Sequence, residues 1–112
     1  MANYNSINDD IYEKAWAGTE LKFLVNPEAS GFYADDDDWS IEIRYGSLGK
    51  TLKVYQKSDL IRSTEGYICV IDTQGISGMV YAVVTAYVND SDCEDGLRRE
   101  VVKKELCYVL SV

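Results

Sequence analysis

Histidine is absent from this chain, and proline occurs once in 112 residues. Without histidine the commonest general base and the commonest metal ligand are missing. No Ser-His or Cys-His nucleophile pair can be assembled either. Cysteine is scarce and odd in number: Cys69, Cys93 and Cys107, with no CxxC spacing. That argues against a disulfide framework or a cysteine zinc site and fits a chain made in a reducing cytoplasm. Positive charge is also short. Eleven Lys and Arg stand against 19 Asp and Glu, a formal net charge of -8. Such a balance repels nucleic-acid phosphates and anionic headgroups, so neither nucleic acid nor membrane is expected as a partner. The densest basic pairs, Arg98–Arg99 and Lys103–Lys104, are each flanked by a Glu. The longest apolar stretch, Met79 to Val88, is about half of what a membrane helix needs. The opening MANYNSINDD has neither a basic n-region nor an apolar h-region, so no secretory signal is expected. No GxGxxG or P-loop pattern occurs. Carboxylate-only catalysis needs a deep cleft, for which so short a chain has little room. The expectation is a protein that is not an enzyme and takes no cofactor.

What is present is one domain's worth of strand-forming sequence. Nine tyrosines raise the aromatic share to 12%, and Tyr favours half-exposed strands. Period-two alternation begins at Thr19. Leu21, Phe23 and Val25 alternate with Glu20 and Lys22 until Asn26-Pro27 stops the run. Trp39, Ile41, Ile43 and Tyr45 alternate with Ser40, Glu42 and Arg44, a strand with one buried and one wet face. Gly46 and Gly49 bracket a turn into Leu52 and Val54, which alternate with Lys53 and Tyr55, so a hairpin is predicted. Tyr67 to Ile71 and Met79 to Val88 are apolar on both faces, as in mid-sheet strands covered on both sides. A long last strand runs from Arg99 to Leu110, with Val102, Leu106, Tyr108 and Leu110 on one face. Cys69 and Cys107 lie inside these runs and read as small core residues. About six strands and no room for crossover helices predict an all-β, immunoglobulin-like antiparallel sandwich over 19–112, with an orthogonal barrel as the structural alternative. Residues 1–18 are polar. Ile7, Ile11, Tyr12, Ala15 and Trp16 recur at helical spacing, so this stretch is either a short helix from about Asn8 to Ala17 or an arm that orders against a neighbour.

Two acidic segments stand out. Asp35, Asp36, Asp37 and Asp38 form a run, and Asp90 and Asp92 open a second acidic loop. Both are calcium candidates by ligand type. The loop does not follow the EF-hand, because Asp95 stands where the turn glycine belongs and a valine where the bidentate Glu belongs. A solvated loop whose like charges deter edge-to-edge association is the preferred reading, with no metal expected. Trp39 falls on the inward face and reads as core. Trp16 is freer and, with Tyr12, Tyr55, Tyr81 and Tyr87, is a candidate for a protein interface. Asp95-Gly96 predicts a tight turn. Asp90 and Asp92 are placed to bond backbone N–H groups, and Arg98 or Arg99 to close the loop by a bidentate salt bridge.

Three stretches taken together resemble a known group. They are Thr19–Phe23 with Gly31-Phe32 and the acidic run into Trp39–Ile43; Tyr55–Ile61 with Gly66–Ile68 and Ile71–Thr73; and Thr85–Asp92 with Asp95–Val101. Their order and spacing are similar to small immunoglobulin-like structural proteins of phages and prophages of Bacteroides-type bacteria, and to N-terminal domains of phage baseplate and fibre proteins. The similarity covers roughly residues 19 to 110. In the third stretch the family pattern would read YIPD-D-x-x-DG-R-EV. Here Val88-Asn89 replaces Ile-Pro, and Cys93 enters the loop. Without the proline the loop is less rigid.

The resemblance implies a virion structural or adaptor protein of the tail, baseplate or head-fibre region. Such a protein is made in the bacterial cytoplasm and assembled into the virion. Its partners would be other virion structural proteins, and a homo-oligomer is expected on symmetric assemblies. None of the quoted motifs is catalytic in such a family. They mark a turn and the entry to the last strand. The alternative expectation is a carbohydrate- or calcium-dependent binding module of a surface protein.

Overall fold

The computed structural model describes residues 5–6, 13–26 and 38–112. Nine strands are formed among them: β1 (Asn5–Ser6), β2 (Glu13–Trp16), β3 (Glu20–Val25), β4 (Asp38–Tyr45), β5 (Lys50–Gln56), β6 (Ile61–Arg62), β7 (Tyr67–Asp72), β8 (Gly78–Asn89) and β9 (Leu97–Leu110). One 3-10 turn, Lys57–Asp59, joins β5 to β6. No helix among the described residues is long and apolar enough to cross a membrane. The strands form a four-stranded sheet in the order β1-β3-β7-β6 and a five-stranded sheet in the order β2-β9-β8-β4-β5. The two pack face to face as an all-β sandwich. The longer strands pair antiparallel. The two short N-terminal ones do not: β1 lies parallel to β3 and β2 parallel to β9.

Alternation decides which side chains enter the sandwich. From β4 come Trp39, Ile41 and Ile43, and from β8 come Val80, Ala82, Val84 and Ala86, all buried. Trp39 is paired with Ala86 and Ile43 with Ala82, so these two bulky residues lie beside small ones in the neighbouring strand, while Ile41 is paired with Val84. From the facing sheet come Phe23, Val25, Tyr67, Cys69 and Ile71. The Trp39 and Tyr67 rings meet edge to face across the core, 5.1 Å between centroids at 81°. The one buried polar side chain described, Thr73, ties the corner after β7 to the turn before β3. Its hydroxyl donates to the Thr19 carbonyl at 2.5 Å and accepts from the Gly18 amide at 3.1 Å. That satisfies a group whose burial unpaired would be costly.

Two β-bulges break the simple alternation. In β5, Lys53 pairs with Ile43 but Thr51 pairs with Arg44, so Leu52 is the extra residue. In β9, Cys107 pairs with Val80 but Glu105 with Tyr81, so Leu106 is extra. Each bulge moves the downstream side chains to the opposite face. Val102 therefore shares the inner face with Cys107 and Val109, not with Tyr108 and Leu110 as unbroken alternation predicts.

The helix considered for about Asn8 to Ala17 is not formed over its described part. Glu13–Trp16 is a strand that extends the five-stranded sheet, paired from Glu13–Cys107 to Trp16–Leu110. Its two outward residues, Lys14 and Trp16, flank the inward Ala15, which packs on the core. Period two holds where helical spacing was read. The sheet thus begins before residue 19. Ile7, Ile11, Tyr12 and Asp35 to Asp37 lie outside the described residues.

Candidate docking surface

The outer face of the five-stranded sheet gathers most of the exposed apolar side chains. Among the described residues ten large hydrophobic ones are exposed, and six of them, Trp16, Val54, Tyr87, Leu97, Val101 and Tyr108, have outward register on this sheet. Trp16 is 62% exposed and Val101 59%. By strand spacing and length the face measures roughly 20 by 40 Å, the scale one partner contributes to a standard protein–protein interface. β8 runs down its middle. Met79, Tyr81, Val83, Thr85 and Tyr87 point outward from it; neighbouring side chains leave all but Tyr87 half-buried, but among the described residues no strand or helix packs over them as the double-sided apolar pattern predicts.

A polar network crosses the middle of the face. Arg44 Nη2 donates to Glu42 Oε1 at 2.9 Å, and the Thr51 hydroxyl donates to Glu42 Oε2. The bond from Arg44, then that from Thr51, holds the Glu42 carboxyl below its ordinary range. Tyr81 lies between these groups and β9, with Lys103 Nζ 4.6 Å from its ring centroid. The β4–β5 turn closes over its hydroxyl. A Cβ at Gly49, where φ is +65°, would stand 2.6 Å from Tyr81 Oη. Only glycine fits that approach and that backbone angle without strain.

The tyrosines singled out in the sequence separate. Tyr87 is 43% exposed near the tip of the β8–β9 hairpin. Tyr81 is half-buried under the network just described. Tyr55 is no interface residue: it is buried and points into the sandwich. The bulge at Leu52 is the cause, because it sends Tyr55 inward and Val54 out. The Tyr55 hydroxyl donates to the Val70 carbonyl of the other sheet at 2.6 Å, clasping one margin of the sandwich. Burial, followed by the neighbouring Cys69, pushes the phenol up to about 12. Burial likewise pushes the Cys69 thiol up to about 12, so it is unreactive at neutral pH. Leu97, Val101, Val54 and Tyr108 complete the face and escaped the sequence reading. Val101 and Leu97 are recognisable as apolar residues on the polar side of an alternating strand. Val54 and Tyr108 are hidden by the bulges.

The acidic hairpin loop is closed by Arg98. Arg98 Nε donates to Asp90 Oδ2 at 3.0 Å, and Nη1 reaches Glu100. The guanidinium therefore bridges two carboxylates and does not grip one with both nitrogens. Asp90 Oδ1 accepts the Asp92 amide at 3.0 Å. That backbone bond, then Arg98, lowers the Asp90 pKa. Gly96 takes φ +72°, and its carbonyl accepts the Asp90 amide at 2.9 Å. Asp92 and Asp95 are exposed at the tip, Asp38 at the entry to β4. Both oxygens of Asp90 are thus engaged by the chain itself. Among the described residues no three acidic or cysteine side chains converge to hold a metal ion. Comparison with protein-family models, curated proteins and solved structures finds no match.

Proposed function

We propose that the chain is an immunoglobulin-like docking module, a non-enzymatic structural or adaptor protein of a phage or prophage virion. It engages other virion structural proteins through the outer face of its five-stranded sheet. The observation that carries this reading is β8: a central strand apolar on both sides, over whose outer side no described strand or helix packs. Nearby stand Tyr87 and Trp16, residue types from which interface anchors are built, with exposed Val101 as an apolar contact and Arg44 and Lys103 as polar ones.

The strand order supports the immunoglobulin-like assignment. The sheet β1-β3-β7-β6 follows the order A-B-E-D, although β1 runs parallel to β3 where the immunoglobulin sheet is antiparallel, and β9-β8-β4-β5 follows G-F-C-C′, with β2 added beside the last strand. Trp39 on β4 takes the place of the buried tryptophan of strand C. The inter-sheet disulfide of antibody domains has no counterpart, since β3 and β8 carry no cysteine. The virion assignment is supported by the resemblance of residues 19 to 110 to phage structural proteins. A non-catalytic role is supported by the absent histidine and by Glu42 and Asp90, both already bonded to arginine. The test is amide hydrogen exchange with purified tail, baseplate and head-fibre proteins of the same particle. Protection on β8 and β9 is expected. A glycan array should show no binding.

A further inference from the structure

We infer that the free edge of β5 is a second docking element, one that accepts an acidic extended segment of a partner protein by strand addition. This goes beyond the outer face and does not depend on it. Among the described residues β5 is the terminal strand of its sheet and is bonded to β4 alone, and at seven residues it is the longest edge strand. The other edge strands, β1, β2 and β6, have two, four and two residues.

The open hydrogen-bonding groups can be located. The Gln56 amide donates to Asp59 Oδ2 at 2.8 Å, so it faces away from β4. Strand alternation then turns the Val54 amide and carbonyl outward as well. The edge donor at Gln56 is already satisfied by a carboxylate of this chain. Around the next one the charge is positive: β5 carries Lys50 and Lys53, both exposed, and no acid. From Arg44 to Arg62 the chain has five cations, Arg44, Lys50, Lys53, Lys57 and Arg62, against the single carboxylate of Asp59, within a protein of net charge -8; the Glu42 carboxylate on the neighbouring strand, opposite Val54, is already bonded to Arg44 and Thr51. Lysines at a strand edge oppose pairing with a second β5, whose lysines would face them. The same lysines favour a strand bearing carboxylates. Val54, half exposed beside them, offers an apolar contact to alternate residues of the incoming segment.

The probe is an end-blocked, fluorescein-labelled octapeptide alternating Glu and Val, titrated into the full chain by fluorescence anisotropy. A Lys/Val peptide is the control. The acidic peptide should bind, shift the Lys50 to Tyr55 amides in NMR spectra, and weaken as salt is raised. Reversing both lysines, Lys50→Glu with Lys53→Glu, should weaken it roughly tenfold or more. Val54→Pro removes the outward donor and spares the ladder to β4, and should weaken binding comparably. Circular dichroism checks that each variant is folded, and the lysine reversals carry the test if the proline variant is not. Binding unaffected by the lysine reversals, no binding at about 1 mM peptide, or shifts away from β5 would overturn the proposal. So would dimerisation of the chain through β5 that ignores the reversals, which would give the edge to a second copy.

Discussion

Replacing Tyr55 with Phe removes one oxygen and leaves the ring in place. No cavity opens, so the cost isolates the hydrogen bond that joins the sheets at this margin. A net intramolecular hydrogen bond contributes about 0.5–1.5 kcal/mol, and leaving the part-buried Val70 carbonyl without this donor adds to that. A loss of about 1–2 kcal/mol is expected, or a fall in Tm of roughly 4–8 °C for a domain of this size. The same hydroxyl has a pH signature. Its pKa is pushed from 10.0 up to about 12 in the fold, so the folded state favours the protonated form. That contribution is complete below pH 10 and is lost as pH rises towards 12. Urea denaturation of both proteins at pH 7, and again across this alkaline window, reads both effects. The variant should be less stable at pH 7 and lose less between pH 10 and 12, with the part due to Cys69 remaining. An unchanged urea midpoint together with an unchanged alkaline limb would refute an inward Tyr55.

Three further outcomes bear on the core, the corner and the loop. Trp39→Ala empties the largest fully buried site and should cost about 3–5 kcal/mol, leaving little stability at 37 °C by calorimetry. Thr73→Val keeps the shape of the corner residue and deletes its two hydroxyl bonds. The backbone bonds to Gly18 and Thr19 persist, so chemical denaturation should show a loss of only about 1 kcal/mol. Arg98→Ala should loosen the hairpin loop and let the Asp90 carboxyl rise towards its ordinary value, as read by NMR titration. Because Asp90 is lowered in the fold, its contribution holds above the ordinary carboxyl range and fades as pH falls through its folded value. The variant should therefore show a weaker acid dependence. Arg99→Ala, lacking that contact, should leave the Asp90 titration in place.

The six longer strands are legible because each carries at least four residues of alternating or apolar pattern, and Trp39–Ile43 shows why such a pattern works. Every second residue must enter a dry layer, and only period two delivers that. The short strands β1, β2 and β6 are not legible. With two to four residues they have no period of their own, and β2 is a strand because the last strand offers it a ladder. Sites on β4 and β8 follow from alternation, as Trp39 and Tyr87 do. Those on β5 and β9 do not, because one extra residue at Leu52 or Leu106 inverts everything beyond it. Unbroken alternation therefore predicts Tyr55 outward and Tyr108 on the face of Val102. The hairpin loop was open to sequence reasoning because its bonds are local: Asp90, Gly96 and Arg98 lie within nine residues of chain. The uncovered side of β8 was visible only as a pattern too apolar for an exposed face.

The central claim is that this uncovered side is where a partner sits. Substituting Asp at both Tyr87 and Val101 places two charges there without touching the buried layer. Isothermal titration of parent and variant against tail, baseplate and head-fibre proteins of the proposed virion measures the effect. The account predicts that one of these proteins binds the parent and that the double substitution abolishes binding while the Tm stays within a few degrees. Equal affinity for parent and variant, or no affinity for any of them, would contradict it.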